Sequence, residues 1–270
     1  MRSYAPLLAA ALLHFPAPLL AEVSAETVLS RVEALAAEGR ALTAVSVAYD
    51  FYVSKGLHER AAKLRPRLEE LQRDFMRGVG GEFDFANVKQ GDTLAGIAKV
   101  WNVTHEFLMR VNGISSPHAL RAGAAIKTVR GPFSLRISLS QRRAVVYLNE
   151  ARVRDYPVAV GGPGGERATP AGDYRVLEKV KNPRYDRGAE HYEPLDPRSP
   201  VGTRWLRLKG PIGIHGTNEP DSIGKAVSEG CIRLFNSDVE ELFDLLVTGS
   251  RVIVTGGPAG LGDCYEKGVP

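Results

Sequence analysis

The spacing of apolar residues changes near Pro132 of this 270-residue chain, and this change constrains the fold more than any other feature. Upstream, apolar side chains recur three and four positions apart, as at Val28, Val32 and Leu35. Downstream they alternate with polar ones, as in residues 135–139. One face of an α-helix repeats every ~3.6 residues and one face of a strand every two. The sequence therefore predicts a helical first part followed by a β-rich second part.

Residues 26–80 are predicted to form three short helices that stop at Gly39, Gly56 and Gly78. Pro66 would start or bend the third helix, because proline lacks the N–H that a helix interior uses. No helix of this length buries an apolar face alone, so the three are expected to form a small bundle. We interpret the region as a spacer or interaction domain without chemistry of its own.

Residues 1–25 have the pattern of a secretory signal peptide. Arg2 supplies a positive start, and residues 6–20 are largely apolar but shorter than the ~20 residues that span a membrane. Small residues follow, so cleavage is expected after Ala21 or Ala25. A short amphipathic or buried first helix is the alternative. A signal peptide predicts export, to the periplasm or cell envelope.

Charge and cysteine content narrow the classes of function. Lys and Arg number 35 against 31 Asp and Glu, a net charge of +4 without a dense basic run, so nucleic acid is not an expected partner. The two cysteines, Cys231 and Cys264, are too few for a disulfide scaffold or a four-cysteine zinc site. One disulfide between them stays open as an alternative.

A strand, a turn, two helices and a second strand are predicted within residues 85–129. The segment contains Gly-Asp-Thr-Leu at 91–94, Ile-Ala at 97–98, Asn112, and Leu-x-x-Gly at 120–123. These motifs, in this order, resemble a LysM module with a βααβ fold. The resemblance implies binding of an N-acetylglucosamine-containing glycan, usually peptidoglycan.

The family's ligand contacts lie in the loop after the first strand and in the loop after the second helix. Carried over to this sequence, they are Asp92, Thr93, Leu94, Asn112, Gly113 and Ile114. The alternative is structural: Asp92 and Thr93 would cap the first helix, and Asn112 would close a turn.

Residues 132–257 contain many short alternating runs and one amphipathic helix after Asn236. Ser237 and Glu240 have capping-box spacing at the start of that helix. Short strands in this number predict a mainly-β sandwich or barrel. Residues 258–270 would form a tail. The chain is thus predicted to be multi-domain, with a helical segment, an α+β module and a β domain.

His215 and Cys231 carry the chemistry that the β domain offers. His215 ends a predicted strand, and Cys231 follows after a loop that includes Gly230. A thiol becomes a strong nucleophile when a neighbouring histidine takes its proton and holds the thiolate as an ion pair. No acid stands nearby to orient the imidazole, so we expect a backbone carbonyl, that of Gly216, to do so. Inert packing of the cysteine and a zinc site with further ligands are the alternatives.

The surrounding motifs point to one family. His-Gly-Thr at 215–217 and Ser-Glu-Gly-Cys-Ile-Arg-Leu at 228–234 resemble the signature of the L,D-transpeptidase catalytic domain, the YkuD family. Thr-Pro-Ala-Gly-Asp-Tyr at 169–174 and Val-Gly-Thr-Arg-Trp at 201–205 follow the family's order. The resemblance implies acyl transfer in the bacterial cell wall, with roles in cell wall biogenesis and cell shape. It implies neither a metal nor an organic cofactor.

The family mechanism assigns roles to several residues. Cys231 would attack the carbonyl of the third stem residue, a diamino acid, and His215 would protonate the departing D-alanine. An amine or water would then resolve the thioester. The backbone amides of Glu229, Gly230 and Cys231 would form the oxyanion hole.

Two further residues of the motif each have two possible roles. Arg233 would bind a substrate carboxylate or pair with a local acid. Ser228 would hydrogen bond near the thiolate or stabilise the turn. The expected partners are peptidoglycan strands and stems, carbapenem inhibitors, and an envelope protein at the N-terminal helices. Alternatives to transpeptidation are an L,D-carboxypeptidase or other hydrolase, and a non-catalytic peptidoglycan-binding scaffold.

Overall fold

The computed structural model describes residues 24–256 apart from four positions, 163, 165, 166 and 189. Most of the predicted signal peptide, the tail 258–270 and Cys264 therefore lie outside the described residues. None of the helices within the described range combines the length and hydrophobicity needed to cross a membrane.

Three helices form the first part of the fold, as the apolar spacing predicted. They are α1 (Ala25–Ala37), α2 (Ala41–Ser54) and α3 (His58–Met76). Each is followed by a glycine in the left-handed region, with φ of 76° at Gly39, 68° at Gly56 and 74° at Gly78. Because α3 begins at His58, Pro66 lies inside the helix and does not start it.

The LysM-like segment has the predicted order of elements. It consists of β1 (Asp84–Asn87), α4 (Leu94–Trp101), α5 (His105–Asn112), a 3-10 turn (Pro117–Ala119) and β2 (Ala125–Thr128). The two strands pair antiparallel. Threonines cap both helices: Thr93 accepts from the N–H of Gly96 at 3.0 Å, and Thr104 accepts from the N–H of Phe107 at 3.1 Å.

The third part is a sandwich of two open sheets rather than a closed barrel. Its larger sheet has the order β5-β4-β3-β15-β7, built from β3 (Ser134–Ser138), β4 (Arg143–Leu148), β5 (Ala151–Pro157), β7 (Gly172–Arg175) and β15 (Arg251–Thr255). The smaller sheet has the order β14-β12-β11-β8, built from β8 (Glu178–Lys181), β11 (Arg204–Lys209), β12 (Ile212–His215) and β14 (Ile232–Arg233).

Two short strand pairs and one helix complete this part. The pairs are β6 (Val160–Gly161) with β13 (Ala226–Ser228), and the hairpin β9 (Tyr185–Arg187) with β10 (Glu190–Tyr192). Helix α6 (Asn236–Leu245) packs against β11, β12 and α5. No side chain caps its first turn, so the capping box predicted at Ser237 and Glu240 does not form.

One aromatic cluster joins the three parts. Phe75 of α3, Phe107 of α5 and Phe133 beside β3 are each fully buried. The ring centroids of Phe107 and Phe133 are 5.0 Å apart, and Phe75 lies 6.0 Å from Phe107 and 6.4 Å from Phe133. The modules predicted from the sequence therefore share a hydrophobic core.

The helical segment also contacts the larger sheet through a buried polar network. Arg152 of β5 is 2% exposed and donates to Asp50 of α2 at 2.7 Å and to Asp155 at 2.6 Å. Tyr147 donates to the second oxygen of Asp50 at 3.0 Å, and Gln72 of α3 donates to the carbonyl of Arg152 at 3.1 Å. Because α2 and α3 also pack against β5, the helical segment is joined to the larger sheet.

Candidate active site

Strand pairing places the candidate residues on one face of the smaller sheet. Trp205 of β11 lies opposite His215 of β12, and His215 lies opposite Arg233 of β14. The residues next to them on the same strands, Leu206 on β11 and Ile214 on β12, are fully buried in the core. Because side chains alternate along a strand, the three candidate side chains lie on the opposite face.

Cys231 reaches the same face by register. It directly precedes Ile232, which pairs with Ile214, so it lies beside Gly213 and two positions from His215 along the paired strands. A Cβ on Gly213 would come within 2.7 Å of the indole of Trp205, so only glycine fits here. The pairing thus brings together the cysteine and histidine that the sequence separates by a long loop.

The Cys231 side chain is half-buried, and its thiol donates to the carbonyl of Pro211 at 3.4 Å. Burial raises the pKa of the thiol, and a backbone hydrogen bond from Gly213 and the charges of Arg233 and Arg187 oppose this rise. The net direction is upward, so the thiol is protonated at neutral pH.

His215 is 5% exposed and stacks on Trp205, with ring centroids 5.4 Å apart and planes 21° apart. Its Nδ1 donates to the carbonyl of Gly216 at 2.6 Å, which leaves Nε2 with the free electron pair. Burial lowers the pKa of the imidazole to about 4; the hydrogen bond to Gly216 opposes the shift and the charge of Arg233 adds to it.

These two pKa directions correct one expectation about the resting state. The sequence led us to expect a thiolate–imidazolium ion pair between Cys231 and His215. With the thiol pKa raised and the imidazole pKa lowered, both groups are neutral at pH 7. A neutral imidazole keeps the free electron pair that a general base uses.

Protonation of the buried His215 is expected to destabilise the fold in acid. Its pKa falls from an ordinary 6.5 to about 4 on folding. Between these two values the unfolded chain binds a proton that the folded protein does not bind, so the free energy of unfolding decreases as the pH falls. Urea unfolding should show a steeper acid loss for the wild type than for His215→Gln, whose side chain does not titrate. Parallel curves for the two proteins would contradict the buried, neutral imidazole.

The turn before Cys231 is closed by Ser228. Its side chain is 1% exposed, and its hydroxyl donates to the carbonyl of Cys231 at 2.5 Å. Gly230 lies between them with φ of 98°, a value that favours glycine. Of the two roles considered for Ser228, its contacts match stabilisation of the turn. Among the described residues, the N–H groups of Glu229, Gly230 and Cys231 make no hydrogen bond to a backbone carbonyl.

Glu229 connects this turn to the β9–β10 hairpin. Its carboxylate accepts from Arg187 of the hairpin and, at 3.3 Å, from Arg167. The hydrogen bond and charge of Arg187, followed by Arg167, hold the pKa of Glu229 below its usual range. The hairpin is therefore tethered beside Cys231.

Arg233 lies between His215 and the carboxylate of Glu219. Its Nη1 donates to Glu219 at 2.7 Å, the structural partner that the sequence left as an alternative. Its Nε is buried and has no hydrogen-bond partner within the described part of the chain. The guanidinium lies beside His215, where its positive charge disfavours imidazole protonation.

In the first predicted glycan loop, the side chains have structural contacts. Asp92 accepts from the N–H of Lys89 at 2.8 Å, and Thr93 caps α4. Leu94 is 1% exposed and packs in the core, so the glycan contact predicted at this position would have to be made by its backbone.

The second predicted glycan loop is held in a similar way. Asn112 donates to the carbonyls of Leu108 and Lys127 at 2.9 and 2.8 Å and accepts from the N–H of Lys127 at 2.7 Å. Gly113 ends α5 with φ of 63°, and Ile114 is half-buried against the core. The glycan contacts predicted for these loops would therefore have to be made by backbone groups and by the surface that remains exposed.

The described residues contain no cluster of three or more His, Cys, Asp or Glu side chains that could hold a metal ion. Sequence reasoning missed the Asn236 side chain, which hydrogen bonds to the segment after His215. It treated this residue only as the boundary of α6. The only local signal was its position five residues after Cys231.

Comparison with known proteins adds two family matches. The family model described as the L,D-transpeptidase catalytic domain, YkuD, matches residues 132–254, and the LysM domain model matches residues 87–128. The chain is 36% identical over 175 residues to the Bacillus subtilis protein named L,D-transpeptidase YkuD, a match that covers 62% of this chain and 96% of that protein.

Two further similarities extend the comparison. The chain is 30% identical over 207 residues to the Escherichia coli protein named L,D-transpeptidase YcfS, covering 66% of this chain and 63% of that protein. Its structure aligns with L,D-transpeptidase 3 from Mycobacterium tuberculosis in complex with a faropenem-derived adduct. That match has 22% identity and a TM-score of 0.39, and it covers 49% of this chain and 64% of the other.

Proposed function

The chain belongs to the L,D-transpeptidase family, and we propose that it forms peptidoglycan cross-links or attachments by acyl transfer through Cys231. The observation that carries this proposal is the strand register that puts Cys231 on the same face as His215, whose Nδ1 is held by the Gly216 carbonyl. A half-buried thiol on the same face as an imidazole whose Nδ1–H is already engaged is the arrangement that general-base activation of a nucleophile uses.

In the first half of the reaction, Sγ of Cys231 attacks the carbonyl carbon of the third stem residue, a diamino acid. The thiol proton passes to Nε2 of His215. The N–H groups of Glu229, Gly230 and Cys231, which make no hydrogen bond to a backbone carbonyl within the described part of the chain, are suited to stabilise the oxyanion of the tetrahedral intermediate. The amide C–N bond then breaks, His215 returns the proton to the D-alanine nitrogen, and a thioester remains.

In the second half, an acceptor amine attacks the thioester and loses a proton to His215. The C–S bond breaks, the thiolate takes that proton, and the new amide is the cross-link or attachment. If water takes the place of the amine, the same intermediate gives L,D-carboxypeptidase activity, which is the second candidate function.

We assign the LysM segment to peptidoglycan binding, so that glycan strands hold peptide stems near the catalytic face. Two ion pairs fix the segment to the β domain: Arg110 with Glu241 at 2.9 Å, and Glu106 with Lys181 at 3.1 Å. The effective concentration of stems is then set by a fixed geometry rather than by a flexible linker.

Export of the mature protein is part of this proposal, because its substrate lies outside the cytoplasm. Ser24 accepts from the N–H of Thr27 at 3.2 Å and caps α1, which begins at Ala25. Cleavage after Ala21 keeps this cap, whereas cleavage after Ala25 removes it. We therefore place the mature N-terminus at Glu22, a position that the mass of the secreted protein tests directly.

Incubation of residues 22–270 with disaccharide-tetrapeptides is the decisive test. Mass spectrometry is expected to detect cross-linked dimers and free D-alanine, because Cys231 would transfer the acyl group to a second stem. Tripeptides without dimers would identify a hydrolase under those conditions. Unchanged tetrapeptides, with the thiol reduced and the fold intact, would overturn the enzyme proposal and favour a peptidoglycan-binding scaffold.

A further inference from the structure

The peptide group between Gly216 and Thr217 has hydrogen bonds at both ends. Its carbonyl accepts from Nδ1 of His215 at 2.6 Å, and its N–H donates to Oδ1 of Asn236 at 3.1 Å. Carbonyl and N–H belong to one planar unit, so fixing one fixes the other. The Asn236 amide and the His215 imidazole are thereby connected through a single peptide plane.

Asn236 is itself held in one orientation. Its Nδ2 donates to the carbonyl of Thr217 at 3.1 Å, and its Oδ1 also accepts from the N–H of Thr203 at 3.4 Å. Thr217 is 4% exposed, so water cannot easily replace the partners of its backbone. The side chain therefore holds the segment that follows His215 by both accepting and donating a hydrogen bond.

Two glycines make the space that the amide fills. A Cβ on Gly216 would lie 2.0 Å from Oδ1 of Asn236, and a Cβ on Gly202 would lie 2.1 Å from the same atom. Gly202 also has φ of 61°, which favours glycine independently. The loop that contains Gly202, the segment after His215 and the start of α6 thus converge on one side chain.

We propose that Asn236 is a positioning residue for His215, acting through the Gly216–Thr217 peptide in the place where other triads use a side-chain acceptor. The inference rests on the proposed function, because it assigns Asn236 a part in acyl transfer without contact with substrate. By accepting from the peptide N–H, Asn236 also polarises the carbonyl that holds Nδ1–H.

Replacement of Asn236 tests the proposal against a merely structural role. Asn236→Ala is expected to lower the kcat of D-alanine release about 10- to 100-fold with little change in KM, because the imidazole loses its fixed orientation. Asn236→Asp keeps an acceptor for the Thr217 N–H and is expected to recover part of that loss. Ser237→Ala, an exposed neighbour in the same helical turn, is the matched control and is expected to keep the wild-type kcat.

Two readouts do not depend on peptidoglycan. NMR of the imidazole protons is expected to show the hydrogen-bonded Nδ1–H of His215 in the wild type and in Ser237→Ala, and its loss or shift in Asn236→Ala. The rate of Cys231 alkylation by iodoacetamide is expected to fall along with kcat. If the wild type releases no D-alanine while these two readouts still respond to Asn236, the proposed function fails and the positioning role stands.

The opposite result would overturn the inference. If folded Asn236→Ala keeps kcat within about twofold, an unchanged Nδ1–H signal and the wild-type alkylation rate, Asn236 serves only to join α6 to its neighbours. If the alanine variant does not fold, the Asn236→Asp protein decides the question with the same three measurements.

Discussion

Replacement of Cys231 by alanine is expected to abolish D-alanine release from disaccharide-tetrapeptides and the covalent adduct with a carbapenem. Loss of the nucleophile of an acyl-transfer enzyme lowers kcat by as much as ~10⁶-fold, and no thioester can form without sulfur. The fold should survive, because the contacts given up are those of a half-buried thiol with the Pro211 carbonyl, at 3.4 Å, and with the Gly213 backbone.

Intact-mass spectrometry and a D-alanine assay measure the two losses in the same samples. His215→Gln provides a graded comparison, since it keeps the thiol but removes the general base; we expect an adduct that forms slowly. A Cys231→Ala protein that still gains the mass of the carbapenem, or still releases D-alanine, would place the nucleophile elsewhere. An unfolded variant would be visible by circular dichroism.

Replacement of Asp50 by alanine is expected to have the largest effect on stability. Arg152 would keep Asp155 but lose the carboxylate 2.7 Å from its Nη1, in a site where the guanidinium is almost completely buried. Breaking a buried ion pair costs about 3–5 kcal/mol, because the remaining charge stays desolvated. The protein should therefore unfold at clearly lower urea concentrations.

An exposed pair in the same helical segment is the control. Glu69 pairs with Arg65 at 3.0 Å, and both side chains are about half exposed, so Glu69→Ala should cost no more than ~1 kcal/mol. Replacing both members, Asp50→Ala with Arg152→Met, should recover part of the lost stability. Equal midpoints for Asp50→Ala and the wild type would mean that this ion pair does not stabilise the packing of the helical segment on the larger sheet.

The buried network and the aromatic cluster connect the modules of the chain to one another. Phe133 is the second residue of the region matched by the catalytic-domain model, and its ring packs on Phe107 of the LysM segment and Phe75 of α3. A truncated catalytic domain would expose this ring and leave Arg152 without Asp50. The upstream residues thus contribute to the stability of the catalytic domain as well as to any binding of glycan or of an envelope protein.

Local features of the fold were predictable from the sequence because their causes lie within a few residues. Apolar spacing indicated helices before Pro132 and strands after it, and Gly39, Gly56 and Gly78 marked the helix ends. The cysteine–histidine motif was recognisable for the same reason: each of its two halves is a short run of consecutive residues. The contact of His215 with the Gly216 carbonyl involves adjacent residues, so it too could be anticipated.

Only the tertiary structure decided which distant groups meet. Arg152 and Asp50 are 102 residues apart, Arg187 and Glu229 are 42 apart, and no periodicity predicts either pair. Burial in the tertiary structure likewise decided the protonation of the two candidate residues. The residue types suggested an ion pair, whereas desolvation of His215 and Cys231 favours their neutral forms. Sequence determined the elements and the reactive groups, and packing determined their partners and protonation, because both depend on which surfaces exclude water.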